Sequence, residues 1–115
     1  MHFEERTIGD IAIVSVVGEI TLKKSRNAML LDRVRHLVQR GHRKVLINLS
    51  GVSFVDSAGL GELLQTQSAL KTHGGALKLS SPTSRLRDLL VLTRLTTVLR
   101  VYEDEAQALE SFTAT

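Results

Sequence analysis

Residues Leu46–Gln65 read LINLSGVSFVDSAGLGELLQ. The stretch opens as an apolar strand and closes as an apolar helix, with Asp56-Ser57-Ala58-Gly59-Leu60-Gly61 between them. A strand that passes through a short polar turn into a helix is the repeating unit of α/β folds. An acid beside a hydroxyl suits the start of a helix, where orphan N–H groups need acceptors, so Asp56 or Ser57 is expected to cap it. Gly59 and Gly61 would let other backbone come close.

The neighbouring sequence extends this unit in both directions. Phe3–Ile8 alternates weakly and reads as an edge strand, and Gly9-Asp10 is a turn signal. Ile11–Val17 is apolar on both faces, so it reads as a strand covered on both sides, in a hairpin with the first. Gly18-Glu19-Ile20-Thr21 then leaves the strand. Ser25 or Asn27 could cap a helix carrying Leu30, Val34, Leu37 and Val38 on one face, which Gly41 would stop. Lys44–Leu49 is a buried strand. The helix from Ser57 to about Thr72 places Leu60, Leu63, Leu64 and Leu70 on one stripe and ends at Gly74-Gly75. Ala76–Ser80 is a strand. Ser81-Pro82 reads as a cap with proline at the first helical position, followed by an inward face of Leu86, Leu89, Leu90 and Leu92. Val98–Tyr102 is a last strand, and Glu103-Asp104-Glu105 opens a last helix with acids at its positive end. The order β-β-α-β-α-β-α-β-α predicts an α/β fold: a small mixed sheet with helices packed on it, as one domain over residues 1–115.

Composition narrows the function classes. Hydrophobic residues make up 43% and charged residues 23%, an ordinary globular balance. Three Phe, one Tyr and no Trp leave few platforms for stacking bases. The absence of Cys rules out disulfides and thiolate chemistry and suits a reducing compartment. No run of apolar residues approaches the ~20 that a membrane helix needs, and MHFEERTIGD lacks a signal pattern, so a cytoplasmic protein is expected. Net charge is +3, unevenly placed: Lys23–Lys44 holds eight Lys/Arg and one acid, and Glu103–Glu110 four acids and no base. The basic stretch reads as a solvated helix face; the alternative is an electrostatic footprint for an acidic partner or nucleic acid, and no nucleic-acid motif accompanies it.

Catalytic readings fail on spacing. A nucleophile elbow needs G-x-S-x-G, and Val55-Asp56-Ser57-Ala58-Gly59 lacks its first glycine. His2, His36, His42 and His73 read as surface residues, and no cluster has metal-ligand spacing. A dinucleotide fingerprint built on Gly59-Leu60-Gly61 would need glycine at Leu64. An acceptor aspartate at Asp56 would need acids nearby for a divalent ion, and the strand-end loops offer little beyond Glu19. No catalytic residue, metal or cofactor is therefore expected. There remains Ser57, placed where a helix start favours an anion. A phosphate there would be tolerated by the fold and would bring about −1.5 to −2 charges to an uncharged patch.

Asn48-Leu49-Ser50-Gly51-Val52-Ser53-Phe54-Val55-Asp56-Ser57-Ala58-Gly59-Leu60 closely resembles the central signature of STAS domains, in particular of bacterial anti-sigma factor antagonists. Gly18-Glu19-Ile20-Thr21 resembles the family's G-E-[IL]-D, and Leu92–Leu95 with Val101–Ala106 resembles its C-terminal pattern. The resemblance implies a binding protein without catalysis. The unphosphorylated antagonist binds an anti-sigma factor serine kinase and frees a sigma factor. Phosphorylation of the motif serine ends the interaction, and a Ser/Thr phosphatase resets it. Carried over, Ser57 is the phospho-acceptor, Asp56, Ser57, Ala58, Gly59 and Leu60 meet the partner, and Thr21 lies in a loop near them. Ala58 stands where the family has a second hydroxyl, Thr21 where it has an acid, and Asn48 where it has an acid at the end of the third strand. With fewer acids and the basic Lys23–Lys44 stretch near the site, a phosphoserine should be less repulsive within the domain. Ser57 should cap its helix at rest, so that Ser57→Ala would cost about 0.5–2 kcal/mol. The alternatives are a STAS adaptor without the switch, in a stress-signalling assembly or a lipid-transport machine, and a small phosphate- or nucleotide-binding enzyme. No direct nucleic-acid or membrane contact is expected, and the edge at Phe3–Ile8 could support a weak homodimer.

Overall fold

The computed structural model describes residues 1–22 and 29–113. A five-stranded sheet has its strands in chain order, β1(His2–Ile8), β2(Ile11–Ile20), β3(Lys44–Val55), β4(Ala76–Ser80) and β5(Arg100–Tyr102). β1 is antiparallel to β2, and every later pair is parallel. The helices are α1(Met29–Gln39), α2(Ser57–Thr72), α3(Ser84–Leu92) and α4(Glu105–Thr113). This is the mixed sheet and element order expected from the sequence. The proposed caps Ser25 and Asn27 lie outside the described residues.

The period of two in the strands divides the core. Ala12, Val14 and Val16 of β2, Val45, Ile47 and Leu49 of β3, and Leu77 and Leu79 of β4 face α1, α2 and α3 in the larger cluster. Ile11, Ile13 and Leu46 face the other way and are covered by Ala108, Leu109 and Phe112 of α4. Lys78 points to that second face and is only 4% exposed. Its ammonium donates to Ser111 Oγ at 2.7 Å and lies 4.4 Å from the Phe112 ring centroid.

Turn chemistry follows the residues. Gly9 takes φ +60° at the first position of the two-residue hairpin turn. Gly41 (φ +96°) ends α1, where the His42 amide donates back to Leu37 O.

Several boundaries differ from the expected ones. β2 continues past Val17 to Ile20, and β3 past Leu49 to Val55, because the two strands stay paired up to Ile20–Val55 across two register shifts. Gly51 permits this: a Cβ there would lie 2.9 Å from a Val17 methyl carbon. β4 stops at the Asn48–Ser80 pair, so the last part of β3 extends beyond it with no strand on that side. Ser81-Pro82 does not start α3. Ser81 adopts φ +59° and donates its amide to Tyr102 O, which leaves Pro82 outside the helix and makes Thr83 the N-cap, accepting from the Leu86 amide. Leu86 and Leu90 face inward, but Leu92 is 81% exposed at the helix end. β5 begins at Arg100 because Leu95–Thr97 forms a 3-10 turn first.

Candidate functional site

In the parallel part of the sheet, β2 and β3 end side by side, and α2 leaves directly from β3. Asp56 lies at this junction. Its extended backbone (φ −95°, ψ −177°) makes it the N-cap of α2, and its Oδ1 accepts from the Gly59 amide at 2.8 Å. Its Oδ2 accepts from the Leu22 amide at 2.9 Å, beyond the end of β2. The Asp56 amide donates to Ile20 O at 3.3 Å. One side chain therefore starts the helix and holds the loop after β2. The Leu22 and Gly59 amides bonded to it keep the Asp56 carboxyl below its ordinary pKa.

Ser57 is not the cap. It is the first residue of α2, exposed, and its hydroxyl makes no hydrogen bond among the described residues. The capping role expected of Ser57 belongs to Asp56 alone, because Asp56 has the extended backbone from which a side chain can turn back onto the N–H groups of the first turn. Ala58 is exposed beside it. Gly59 and Leu60 are buried, as is Thr21 at 9% exposure. The structure thus brings all six candidates to one end of the sheet. Ser57 and Ala58 offer side chains to solvent, Asp56 is half-buried, and Thr21, Gly59 and Leu60 form the support.

Gly59 is required by contact. A Cβ there would stand 1.9 Å from Ile20 O and 2.9 Å from a Val55 methyl carbon. Gly61 differs from expectation: nothing lies within 4 Å of its Cβ position, so it admits no close neighbour.

Of the departures from the family pattern, Thr21 stands at this end of the sheet, whereas Asn48 and the bases Arg33, Arg43 and Lys44 are engaged elsewhere. Asn48 sits mid-strand, where its Oδ1 accepts from the Ser50 amide and its Nδ2 faces Glu105 of α4 at 3.4 Å. Lys44 pairs with Asp10 at the far end of β3, and Arg33 pairs with Glu5 of β1. The Arg43 carbonyl accepts from the Ala76 amide, beyond the end of α2 opposite Ser57. Lys23, Lys24 and Arg26 lie outside the described residues.

Two features were not foreseen. The first is Glu62, on the buried stripe of α2 and 5% exposed. Its Oε2 accepts from the Leu30 and Leu31 amides at 3.1 and 3.3 Å, so α2 caps α1 across the helix interface. Among the described residues its Oε1 has no partner. A charged residue on an apolar stripe was the available signal. The second is a groove of about 830 Å³ beside Ser57, between the extension of β3 and α3. Phe54, Leu60, Leu89 and Leu92 give it an apolar wall, with Asp56, Arg85 and Asp88 among the lining residues. It exists because β4 stops short of β3. The described residues hold no group of three acids or histidines suited to a metal, and no described helix is long and apolar enough to cross a membrane.

The sequence profile of the STAS domain matches residues 2–108. The chain belongs to the STAS domain family. The anti-sigma-B factor antagonist of Bacillus subtilis is 32% identical over 88 residues, covering 76% of this chain and 78% of the relative. Among solved structures, an anti-sigma factor antagonist from Mycobacterium paratuberculosis superposes with a TM-score of 0.85 at 24% identity, covering 98% of this STAS chain and 94% of the other. Bacillus SpoIIAA in its phosphorylated form superposes with a TM-score of 0.70 at 18% identity, covering 96% and 99%. These two show the shared fold. In this STAS protein the family's strand–loop–helix signature is the Asp56-capped junction described above.

Proposed function

We propose that this STAS protein is an anti-sigma factor antagonist switched by phosphorylation of Ser57. The unmodified face around Ser57, Ala58 and the adjoining groove binds an anti-sigma factor serine kinase, which releases a sigma factor. The kinase then transfers the γ-phosphoryl of ATP to Ser57 Oγ, with loss of the hydroxyl proton and departure of ADP, and a Ser/Thr phosphatase removes it. The chain itself contributes no catalysis.

The observation that carries this reading is the separation of duties at the helix start. Asp56 holds the fold, while the neighbouring hydroxyl is exposed and uncommitted. Phosphate at the first position of a helix is electrostatically favoured, by about 0.3–1 kcal/mol for an exposed anion. The same modification places about −1.5 to −2 charges at the rim of an apolar groove, where a docked partner would have to desolvate them. A change that is cheap for the domain and costly for the complex is what a reversible switch needs. The 32% identical relative is itself named an antagonist, and SpoIIAA has a phosphorylated form on the same fold.

The test is a pull-down from the source cell with the wild type, Ser57→Asp and Ser57→Ala, with phosphosite mapping of the native protein. The expected result is an ATP-binding kinase captured by the wild type and Ser57→Ala, lost with Ser57→Asp, and phosphate on Ser57. Equal capture of scaffold or transport subunits by wild type and Ser57→Asp, with no phosphate, would establish an unswitched adaptor instead.

A further inference from the structure

Ser57 is the first residue of α2 and Arg85 the second of α3; both helices start just beyond the C-terminal ends of parallel strands, and both residues line the same groove. Among the described residues, Arg85 is the one cation lining the groove, where the other charges are Asp56 and Asp88. The acids beside it are not paired with it. Asp56 is occupied by the Leu22 and Gly59 amides, and Asp88, three residues along α3, makes no ion pair with Arg85. Two residues on, Arg87 is committed to Glu103 at 2.6 Å. Arg85 is thus exposed, without a hydrogen bond or ion pair among the described residues, at the groove that Ser57 borders.

We propose that Arg85 is the receptor, within the same chain, for the phosphate on Ser57, and that their pairing closes the mouth of the apolar groove. The proposal rests on the reading that Ser57 carries phosphate. Chemically the pair is favoured. A phosphoserine offers three acceptor oxygens, and a guanidinium binds two of them at once in a fork that lysine cannot reproduce. Asp88 is the competitor for Arg85, and a phosphate carries more charge than one carboxylate. The result goes beyond repulsion of a partner. A strut from α2 to α3 would lie over the wall formed by Phe54, Leu89 and Leu92, so that phosphorylation removes an apolar binding surface as well as adding charge.

The experiment needs no partner. Phosphoserine is installed at position 57 during translation, and the phosphorus resonance is titrated with pH in the wild type, Arg85→Gln, Arg85→Lys and Arg87→Gln. The second ionisation of a free phosphoserine lies at about pH 6. Pairing with Arg85 should lower it in the wild type by about 0.5 unit or more relative to Arg85→Gln, since an adjacent opposite charge favours the dianion. Arg85→Lys should fall between them, and Arg87→Gln should match the wild type. Equal midpoints in wild type and Arg85→Gln would overturn the pairing. An Arg87→Gln shift as large as that of Arg85→Gln would also overturn it, because it would show a general field rather than a contact. Amide spectra of each variant report its folding. Whether the cell phosphorylates Ser57 is read separately from the native protein, so a failed switch and a failed pair give different results.

Discussion

Gly59→Ala and Gly61→Ala change the same residue type to the same residue type, two positions apart in one helix, yet the structure predicts opposite outcomes. At Gly59 the new Cβ would lie 1.9 Å from Ile20 O and 2.8 Å from its carbonyl carbon. These are backbone atoms at the end of a paired strand, so no rotamer change relieves the clash. The start of α2 would have to move away from β2 by roughly 1.5 Å to reach ordinary contact, since optimal heavy-atom separations are about 3.5 Å. That movement strains the Asp56 amide bond to Ile20 O and the Asp56 bond to the Leu22 amide. Overpacking commonly costs about 1–3 kcal/mol, and a backbone obstacle places this site near the top, about 3 kcal/mol. At Gly61 the Cβ meets nothing within 4 Å, so alanine only gains helix propensity, about 0.5–1 kcal/mol. Urea denaturation monitored by circular dichroism should therefore separate the two variants by about 3.5–4 kcal/mol, with wild type between them. If Gly59→Ala lies within about 0.5 kcal/mol of wild type, or Gly61→Ala is the less stable of the two, the packing described for the helix start is wrong.

The Asp56 carboxyl is held below its ordinary value in the folded state, so its stabilisation is fully present above the unfolded value and is lost as pH falls through the lower folded one. In denaturant melts from pH 7 to pH 2 the wild type should lose more stability than Asp56→Asn, the two converging at the acid end; parallel curves would refute this. Ser57→Ala should change stability by less than about 0.5 kcal/mol, because Ser57 does not cap α2; a larger loss in a thermal melt would restore a capping role. Glu62→Ala should speed exchange of the Leu30 and Leu31 amide hydrogens and cost about 1–3 kcal/mol, while Glu62→Gln keeps an acceptor and most of the protection. Lys78→Met should be neutral or stabilising in a urea titration, since it replaces a buried cation that has no carboxylate within ion-pair distance among the described residues.

Much of this architecture could be read locally. Ser57–Thr72 and Ala76–Ser80 have the expected limits because periodicity, glycine stops and strand alternation agree there. Where local signals conflicted with pairing, pairing decided. Gly51 looks like a break in β3, yet it is the residue that lets β3 run against Val17. Ser81-Pro82 has the composition of a helix start, but the Ser81 amide bond to Tyr102 O fixes the turn one step earlier. At the site, the motif located Asp56 and Ser57 but pointed to the wrong one of them, Ser57, as the resting cap. Only the three-dimensional neighbours of Asp56, Leu22 and Gly59, assign the cap. The groove and Arg85 had no local signature, since they depend on β3 outrunning β4.

Because the strands stand in the sheet in the order in which they occur in the chain, a growing polypeptide can add each one to the open edge of its predecessor. No strand has to be inserted between two already paired. The exposed interval falls instead on the second face of the sheet, which waits for α4, the element that follows β5. During that wait Ile11, Ile13 and Leu46 would form a bare apolar strip on nascent β2 and β3, the kind of surface that recruits other chains. Lys78 arrives on β4 beside them and places a positive charge on the same face, a gatekeeper against association until α4 covers it. A lysine that is a burden in the finished core would thus protect the unfinished one.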